Sequence, residues 1–241
     1  MIDRVYLKQA SREAMRGKNP SVYLVSFIFI VITTILGNLN ITIQMGNWDI
    51  ESMMEAMMAG KEIIMEQIGL WGTVILIAIT LMTTVINAGY SWYCMEISRG
   101  IKAGVGDIFD GFGIFFKIIW LSIVAGFFVF LWSLLLIIPG IIASYRYCMA
   151  IYILMDDPDK SVMQCIRESK AITKGYKWSI FVLQLSFIGW NILCIIPFVT
   201  IFVTPYYGIT FANYYNTLSG WKAESEESIY ESEYKDPWDQ Q

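Results

Sequence analysis

The sequence predicts an all-α, polytopic membrane protein with about six transmembrane helices, arranged as three hairpins, and amphipathic helices at the membrane interface. Three observations predict this class. Of the 241 residues, 56% are hydrophobic and only 16% are charged, whereas soluble domains average about 25% charged residues. The charged residues lie between long apolar runs, and a run of about 20 apolar residues crosses a bilayer. Lysine and arginine concentrate in three polar segments, 1–19, 94–117 and 156–177.

The first 19 residues predict an amphipathic helix that lies on an anionic membrane surface. Four basic residues recur at intervals of four and therefore share one side of a helix. They are Arg4, Lys8, Arg12 and Arg16. Apolar residues supply much of the other surface: Ile2, Val5, Leu7, Ala10, Ala14 and Met15. A signal peptide is the alternative, but the basic region is long and no small-residue cleavage site follows the apolar run. We expect the segment to be retained.

Six spans are predicted within a single integral membrane domain over residues 1–220. Their approximate bounds are 20–39, 68–93, 115–138, 140–155, 178–196 and 198–216. Between the first two spans, a polar connection over 40–67 contains methionines at helical spacing and predicts a short amphipathic helix. The segment 221–241 is acidic and poor in aliphatic residues, which predicts a disordered cytoplasmic tail.

The distribution of basic residues decides between two topologies for the longest apolar stretch. Pro139 and Gly140 interrupt it, and we expect them to form the extracytoplasmic turn of a hairpin. One long kinked helix over 115–155 is the alternative. The hairpin keeps all three basic segments on the cytoplasmic side together with both termini, whereas the single helix puts the five basic residues of 156–177 outside. Because positive residues favour the cytoplasmic side, the sequence predicts the hairpin, in a bacterial cell membrane with both termini cytoplasmic.

A second basic surface helix is predicted after the fourth span. The sequence 156–159 (DDPD) has turn chemistry and should end the preceding helix. Ser161 and Gln164 have capping-box spacing, so a helix should begin at Ser161. That helix would carry three basic residues toward the membrane surface: Arg167, Lys170 and Lys174.

Arg146 is the one cationic residue that the predicted topology places at bilayer depth, away from the end of a span. A charge at the bilayer centre costs about 2.5–3.5 kcal/mol on insertion scales, so we expect a compensating group. Candidate partners are Glu96, Asn87, Asn191, Gln184, backbone carbonyls near the prolines, and the rings of Tyr145, Tyr147 and Tyr152. Arg146, Tyr147 and Glu96 form the candidate site, and one hypothesis is that Arg146 lines a polar cavity and binds an anionic group such as a lipid phosphate or a substrate carboxylate. The alternative is that Arg146 joins spans or extends to the interface from a short tilted helix.

The sequence carries no pattern that points to catalysis, a cofactor or a metal. It contains no histidine, which removes the commonest general base and the commonest metal ligand. The four cysteines are scattered and predict free thiols. Five aspartates at the cytoplasmic edge are conceivable ligands of a divalent cation, but a helix-ending turn explains the DDPD group better. They are Asp107, Asp110, Asp156, Asp157 and Asp159.

These features predict a non-enzymatic membrane protein that acts in transport, envelope homeostasis or as a membrane scaffold. The expected partners are membrane lipids of anionic type, with no nucleic acid. Two alternatives stay open: an intramembrane enzyme that acts on lipid head groups, and a secondary transporter of an anionic substrate.

Several short motifs resemble a bacterial integral-membrane family. They are Phe109-Asp-Gly-Phe112, the stretch LWSLLLIIPGIIA over 131–143, Ile166-Arg-Glu-Ser-Lys170 and Thr204-Pro-Tyr206. The family is catalogued as a domain of unknown function (number 975), and it is distantly similar to the membrane part of some glycerophosphodiester phosphodiesterases. The resemblance implies an integral-membrane fold and brings no catalytic residues or substrate.

Overall fold

A computed structural model of the chain describes residues 4–18, 21–45, 58, 70–194 and 197–221. Within these ranges the chain forms helices and turns and no strand, which confirms the prediction of an all-α fold. The α-helices are α1 (Arg4–Ala14), α2 (Val22–Met45), α3 (Leu70–Ser98), α4 (Phe115–Leu135), α5 (Ile137–Tyr147), α6 (Ala150–Asp156), α7 (Val162–Ile172), α8 (Lys177–Leu185), α9 (Ile188–Leu193) and α10 (Pro197–Ser219), and a 3₁₀ helix (Gly106–Ile114) precedes α4. The predicted tail beyond Trp221 and most of the predicted 40–67 connection lie outside the described residues.

Three helical segments of the described chain are long and apolar enough to cross a membrane: Val22–Asn40, Leu70–Ser98 and Gly106–Leu135. They correspond to the first three predicted spans. Their apolar side chains are largely exposed, including those of Ile35, Leu39, Leu70, Trp71, Phe127 and Leu134. A soluble protein rarely exposes so much contiguous apolar surface, so these helix surfaces are suited to contact lipid.

The buried core surrounds the C-terminal half of α3. On that helix the buried residues run almost entirely from Val85 to Ile97, whereas the N-terminal turns expose Leu70 and Val74. The helices α2, α6 and α10 and the 3₁₀ helix all pack against α3, and α1 packs against α10. The fold therefore has a tightly packed end and an end at which long apolar helices project outward.

A glycine permits the closest contact in this core. The backbone of Ile108, in the 3₁₀ helix, approaches Gly89 of α3 so closely that a Cβ at Gly89 would overlap the carbonyl oxygen of Ile108. The absence of a side chain lets the two backbones meet. The position of the 3₁₀ helix, and hence the start of α4, depends on this contact.

The turn between α4 and α5 lies earlier than the sequence predicted. The chain leaves the helical conformation at Leu136 (φ −163°, ψ 148°), and Pro139 and Gly140 lie inside the first turn of α5. Proline is tolerated in a first turn because its missing N–H would have no partner there. Gly140 is a packing residue, since a Cβ there would overlap the Ser133 hydroxyl on α4.

The last three predicted spans correspond to a more segmented chain. The 140–155 stretch forms α5 and α6, which are separated at Cys148 and Met149, and the 178–196 stretch forms α8 and α9, which are separated at Ser186 and Phe187. The 198–216 stretch lies within the continuous helix α10, with Pro205 inside it.

Ser161 caps α7 as predicted. Its side-chain oxygen accepts a hydrogen bond from the backbone N–H of Gln164 at 3.3 Å. The Gln164 side chain instead donates to Glu168 at 3.0 Å. One half of the capping box is therefore present.

Candidate functional site

Arg146 lies in the last turn of α5, half-buried, with its guanidinium carbon 5.9 Å from the centre of the Trp132 ring on α4. This is cation–π geometry. Trp132 was not among the partners predicted from the sequence, because only the packing of α5 on α4 brings the two residues together. The backbone carbonyl of Arg146 accepts a hydrogen bond of 2.8 Å from the Ser169 hydroxyl on α7. Arg146 is thus in direct contact with the second basic helix.

Two lysines join Arg146 in a group that we call the cationic cluster (Arg146, Lys170 and Lys177). Burial lowers the pKa of Lys177, and the positive charges of Arg146 and Lys170 lower it further. Within the described residues, no carboxylate forms an ion pair with any of the three. The cluster is therefore an uncompensated patch of positive charge, which attracts anions.

Tyr147 faces a different environment from its neighbour Arg146. It lines a cavity of about 360 Å³ between α3, α4 and the α5–α6 segment. The polar side chains of this cavity are those of Thr84, Asn87, Ser91, Ser122 and Tyr147. Arg146 does not line it, and neither does any other charged residue. A polar cavity is therefore present beside Tyr147, and Arg146 lies outside it.

Glu96 is associated with a separate group of charges. Its charged neighbours are Asp107, Asp110 and Arg99, and its Oε2 atom is buried without a hydrogen-bond partner. The structure therefore separates the three residues that the sequence grouped as one site. In the described part of the chain, no group of three or more histidine, cysteine, aspartate or glutamate side chains is arranged to hold a metal.

Arg99 is the centre of a polar network that sequence reasoning missed. Its side chain is 9% exposed and pairs with Asp156 at 2.5 Å, while its Nε atom donates to Asn216 at 3.1 Å. Asp156 also accepts a hydrogen bond from the Tyr215 hydroxyl at 2.9 Å. Burial alone would raise the pKa of Asp156, but the hydrogen bonds and positive charge of Arg99, with the Tyr215 bond, lower it. The network ties the C-terminal end of α3 to α6 and α10.

The first basic helix packs against protein along one face. The buried residues of this face are Leu7, Ser11 and Met15. Ser11 accepts a hydrogen bond from Asn213 of α10 at 3.0 Å. Val5, which the sequence assigned to the apolar surface, is 63% exposed. The packing against α10 therefore buries one part of the apolar surface and leaves Val5 outside the covered face.

The basic residues of the first helix divide into two kinds. Lys8 donates to Ser186 at 2.8 Å and lies 4.6 Å above the Phe187 ring. Its pKa is lowered by burial and by the charges of Arg12 and Arg4. Arg4 is exposed at the start of α1, and Arg16 is exposed in the turn after the helix ends. Lys8 is thus held by protein groups, while Arg4 and Arg16 stay on the surface.

The second basic helix presents its charges outward. Arg167 and Lys170 are exposed on α7, and Lys174 is exposed just after its end. The opposite face buries Val162, Cys165, Ile166 and Ser169. This division between a charged and a buried face is the arrangement predicted from the sequence.

The comparisons with known proteins cover the C-terminal part of the chain. Residues 133–222 match the family described as "Protein of unknown function (DUF975)". This stretch is similar to that family. It contains α5 to α10, and with them the cationic cluster and Asp156, and it supports the resemblance drawn from the sequence motifs. No curated protein and no solved structure matches the chain.

Proposed function

We propose that this chain is a non-enzymatic, multi-pass protein of the bacterial cell membrane that binds anionic lipid head groups at the cytoplasmic face and acts there as a membrane scaffold. The observation that carries the proposal is the cationic cluster. Because α5 packs against α7 and α8, Arg146 and Lys170 lie close enough to Lys177 to lower its pKa, and no carboxylate in the described chain forms an ion pair with any of the three. A lipid phosphate would supply the missing negative charge.

The surroundings of the cluster fit the membrane interface. Trp178, which follows Lys177, is 73% exposed. Tryptophan is enriched at the level of the lipid head groups. Each basic residue near an anionic leaflet contributes about 1 kcal/mol to its attraction. Arg146 lies about 15 Å along the helix from the turn at Leu136, so in the proposed topology its long side chain would extend from within the bilayer toward the cytoplasmic head groups.

The proposed topology has six spans in three hairpins. Within the described residues, the three helices with sufficient length and apolarity are Val22–Asn40, Leu70–Ser98 and Gly106–Leu135. The α5–α6 segment, the α8–α9 segment and α10 would supply the rest. Both termini are cytoplasmic in this arrangement, as the positive-inside bias requires.

The non-enzymatic assignment is part of this proposal. It is supported by the absence of histidine from the sequence. We propose a membrane-anchored binding role on this basis, with lipid as the principal partner.

The test measures lipid-dependent stability of the full chain purified in a mild detergent. We expect phosphatidylglycerol to raise the melting temperature of the wild type more than phosphatidylcholine does, and the difference to shrink as NaCl rises because salt screens the attraction. Replacing the three cluster residues with glutamine should remove most of the difference. The single substitution Lys177→Gln is compared with Lys102→Gln. Lys102→Gln is the control because Lys102 is exposed and lies outside the cluster. Equal effects of the two lipids on the wild type would refute the proposal.

A second candidate function is transport, and the cavity beside Tyr147 favours it. Its five polar side chains offer hydrogen bonds to a small solute. The location of Arg146 outside the cavity favours a neutral solute over an anion. The variant Ser122→Cys, made in a chain whose native cysteines are replaced, tests the transport function. Labelling by a membrane-impermeant thiol reagent from both sides of the membrane supports transport, and labelling from one side alone contradicts it.

A further inference from the structure

A second cavity lies where the first basic helix meets the helices of the opposite end of the chain. It has a volume of about 330 Å³ and is bounded by the α1 end, α2, α9 and α10. Its walls are largely aromatic and apolar, with Tyr23, Trp190, Phe202 and Val203 among them. Arg12 and Arg16 complete the lining. The cavity beside Tyr147 and a third cavity beside Gln184 contain no arginine.

The two arginines lack an ion-pair partner among the described residues, although the Arg12 guanidinium lies 5.4 Å from the Tyr206 ring centre. Arg12 lies in the last turn of α1 and Arg16 in the turn that follows it, and both line this cavity. An anion held between them would accept hydrogen bonds from both guanidinium groups.

The walls indicate what kind of anion fits. Tyr23 and Phe202 have their rings 5.1 Å apart and are 37% and 58% exposed, so the apolar wall is open to the surroundings. A small hydrated anion would satisfy the arginines and leave this apolar surface uncovered. A ligand with a charged group and a hydrocarbon chain would satisfy both parts. The volume accommodates a segment of one acyl chain, since complete drug-sized ligands occupy about 300–1,000 Å³.

We propose that this cavity binds one anionic phospholipid, with the phosphate between Arg12 and Arg16 and part of one acyl chain against Tyr23 and Phe202. The inference rests on the proposed function for its membrane setting and for the class of lipid, but it concerns a site separate from the cationic cluster. Because Arg12 and Arg16 belong to α1 and its following turn while Tyr23 belongs to α2 and Phe202 to α10, the bound lipid bridges three elements. It therefore fixes the first basic helix to the membrane part of the protein.

The experiment is native mass spectrometry of the full chain in detergent with added phosphatidylglycerol. We expect the wild type to retain one lipid at low lipid concentration. The double variant Arg12→Gln/Arg16→Gln should weaken this binding at least about tenfold, because each hydrogen bond to a charged group contributes about 1.5–3 kcal/mol and 1.4 kcal/mol is a factor of ten. Arg4→Gln is the matched control, since Arg4 lies on the same helix but outside the cavity. It should bind as the wild type does.

Two further variants separate recognition from folding. Arg12→Lys/Arg16→Lys keeps both charges and should retain more binding than the glutamine pair. Tyr23→Ala/Phe202→Ala keeps the arginines and should weaken lipid binding while it leaves any effect of inorganic phosphate on melting unchanged. The melting temperature of each variant, measured without lipid, shows whether it is folded.

Parallel measurements with different ligands distinguish a lipid phosphate from free phosphate. Protection of the wild type by inorganic phosphate alone, to the same extent as by phosphatidylglycerol, overturns the proposal, and so does equal retention of phosphatidylcholine. The triple glutamine variant of the cationic cluster should still retain the single lipid at Arg12 and Arg16. If it retains that lipid and loses its remaining response to phosphatidylglycerol, the two sites are independent. If the Arg12/Arg16 variant binds normally while the cluster variant does not, this inference is wrong and the proposed function stands.

Discussion

The hydroxyl of Ser169 donates a hydrogen bond of 2.8 Å to the backbone carbonyl of Arg146. Ser169 is fully buried on α7, and Arg146 lies in the last turn of α5. Carbonyl groups in the last turn of a helix lack partners within that helix. The contact therefore satisfies an otherwise unpaired carbonyl and holds Arg146 next to the basic helix.

Replacing Ser169 with alanine should lower the free energy of unfolding by about 1 kcal/mol, the usual net value of a buried hydrogen bond. It should also weaken the lipid response of the cationic cluster, because Arg146 loses its fixed position. Unfolding of the detergent-purified protein measures the first effect. Ser144→Ala is the control, because the Ser144 hydroxyl bonds only to Ile141 of its own helix. Equal destabilisation by the two variants would contradict the prediction.

Gly89→Ala should be strongly destabilising. The new methyl group would overlap the Ile108 carbonyl, and backbone atoms cannot rotate away as the end of a side chain can. Overpacking in a close-packed core costs about 1–3 kcal/mol. Thermal melting measures the loss. Gly104→Ala should have little effect, because no atom lies near a Cβ at Gly104. A Gly89→Ala protein as stable as the wild type would show that the 3₁₀ helix does not pack at this position.

Asp156→Asn should destabilise the protein by about 3 kcal/mol, because it leaves the nearly buried Arg99 without its charged partner. Tyr215→Phe removes one hydrogen bond to Asp156 and should cost about 1 kcal/mol. Chemical unfolding of the two variants at neutral pH measures both effects. A cost for Asp156→Asn no greater than that for Tyr215→Phe would contradict a structural role for the ion pair.

The same pair gives a pH dependence of defined sign. The pKa of Asp156 in the folded protein is below its ordinary value, which is about 3.9. Its stabilising contribution is therefore complete above about pH 5 and disappears as the pH falls through the lowered folded value. The stability difference between wild type and Asp156→Asn should be constant from neutral pH to about pH 5 and shrink at lower pH. A difference that grew on acidification would contradict the assignment.

The proposed topology predicts thiol accessibility. In a chain with its native cysteines replaced, Leu136→Cys should react with a membrane-impermeant reagent added to intact cells, because the turn at Leu136 would lie outside the cytoplasm. Lys174→Cys should react only after the cells are opened. Labelling of Lys174→Cys in intact cells would show that residues 115–155 cross the membrane once, which is the alternative to the hairpin.

The fold class and several element boundaries could be predicted because they depend on local sequence. Apolar runs of sufficient length gave the first three candidate spans. Turn chemistry at 156–159 and the cap at Ser161 marked the end of α6 and the start of α7, since capping involves residues only three positions apart. Pro139 indicated that the helical run is interrupted near this position. That it lies in the first turn of α5, and that Gly140 packs against α4, could be seen only with the neighbouring helix in place.

The candidate site was predicted less well. The sequence identified Arg146 and Tyr147 as members of one candidate site, and the partners that it offered for Arg146 did not include Trp132. Successive residues on a helix point in directions about a quarter-turn or more apart. Tyr147 lines the polar cavity, whereas Arg146 lies against Trp132 and α7. Arg99 was overlooked because nothing near it in the sequence indicates that Asp156 and Asn216 would surround it.

The sequence by itself determined that the chain is helical, that long apolar helices suited to a membrane are present, and where the basic segments lie. These properties depend on composition and on spacing along a few turns. Only the tertiary structure decided which basic side chains meet each other and which face aromatic rings. Such contacts join residues far apart in the chain, and the packing of α1 on α10 and of α7 on α5 sets them. The cationic cluster and the Arg12/Arg16 cavity are both products of that packing.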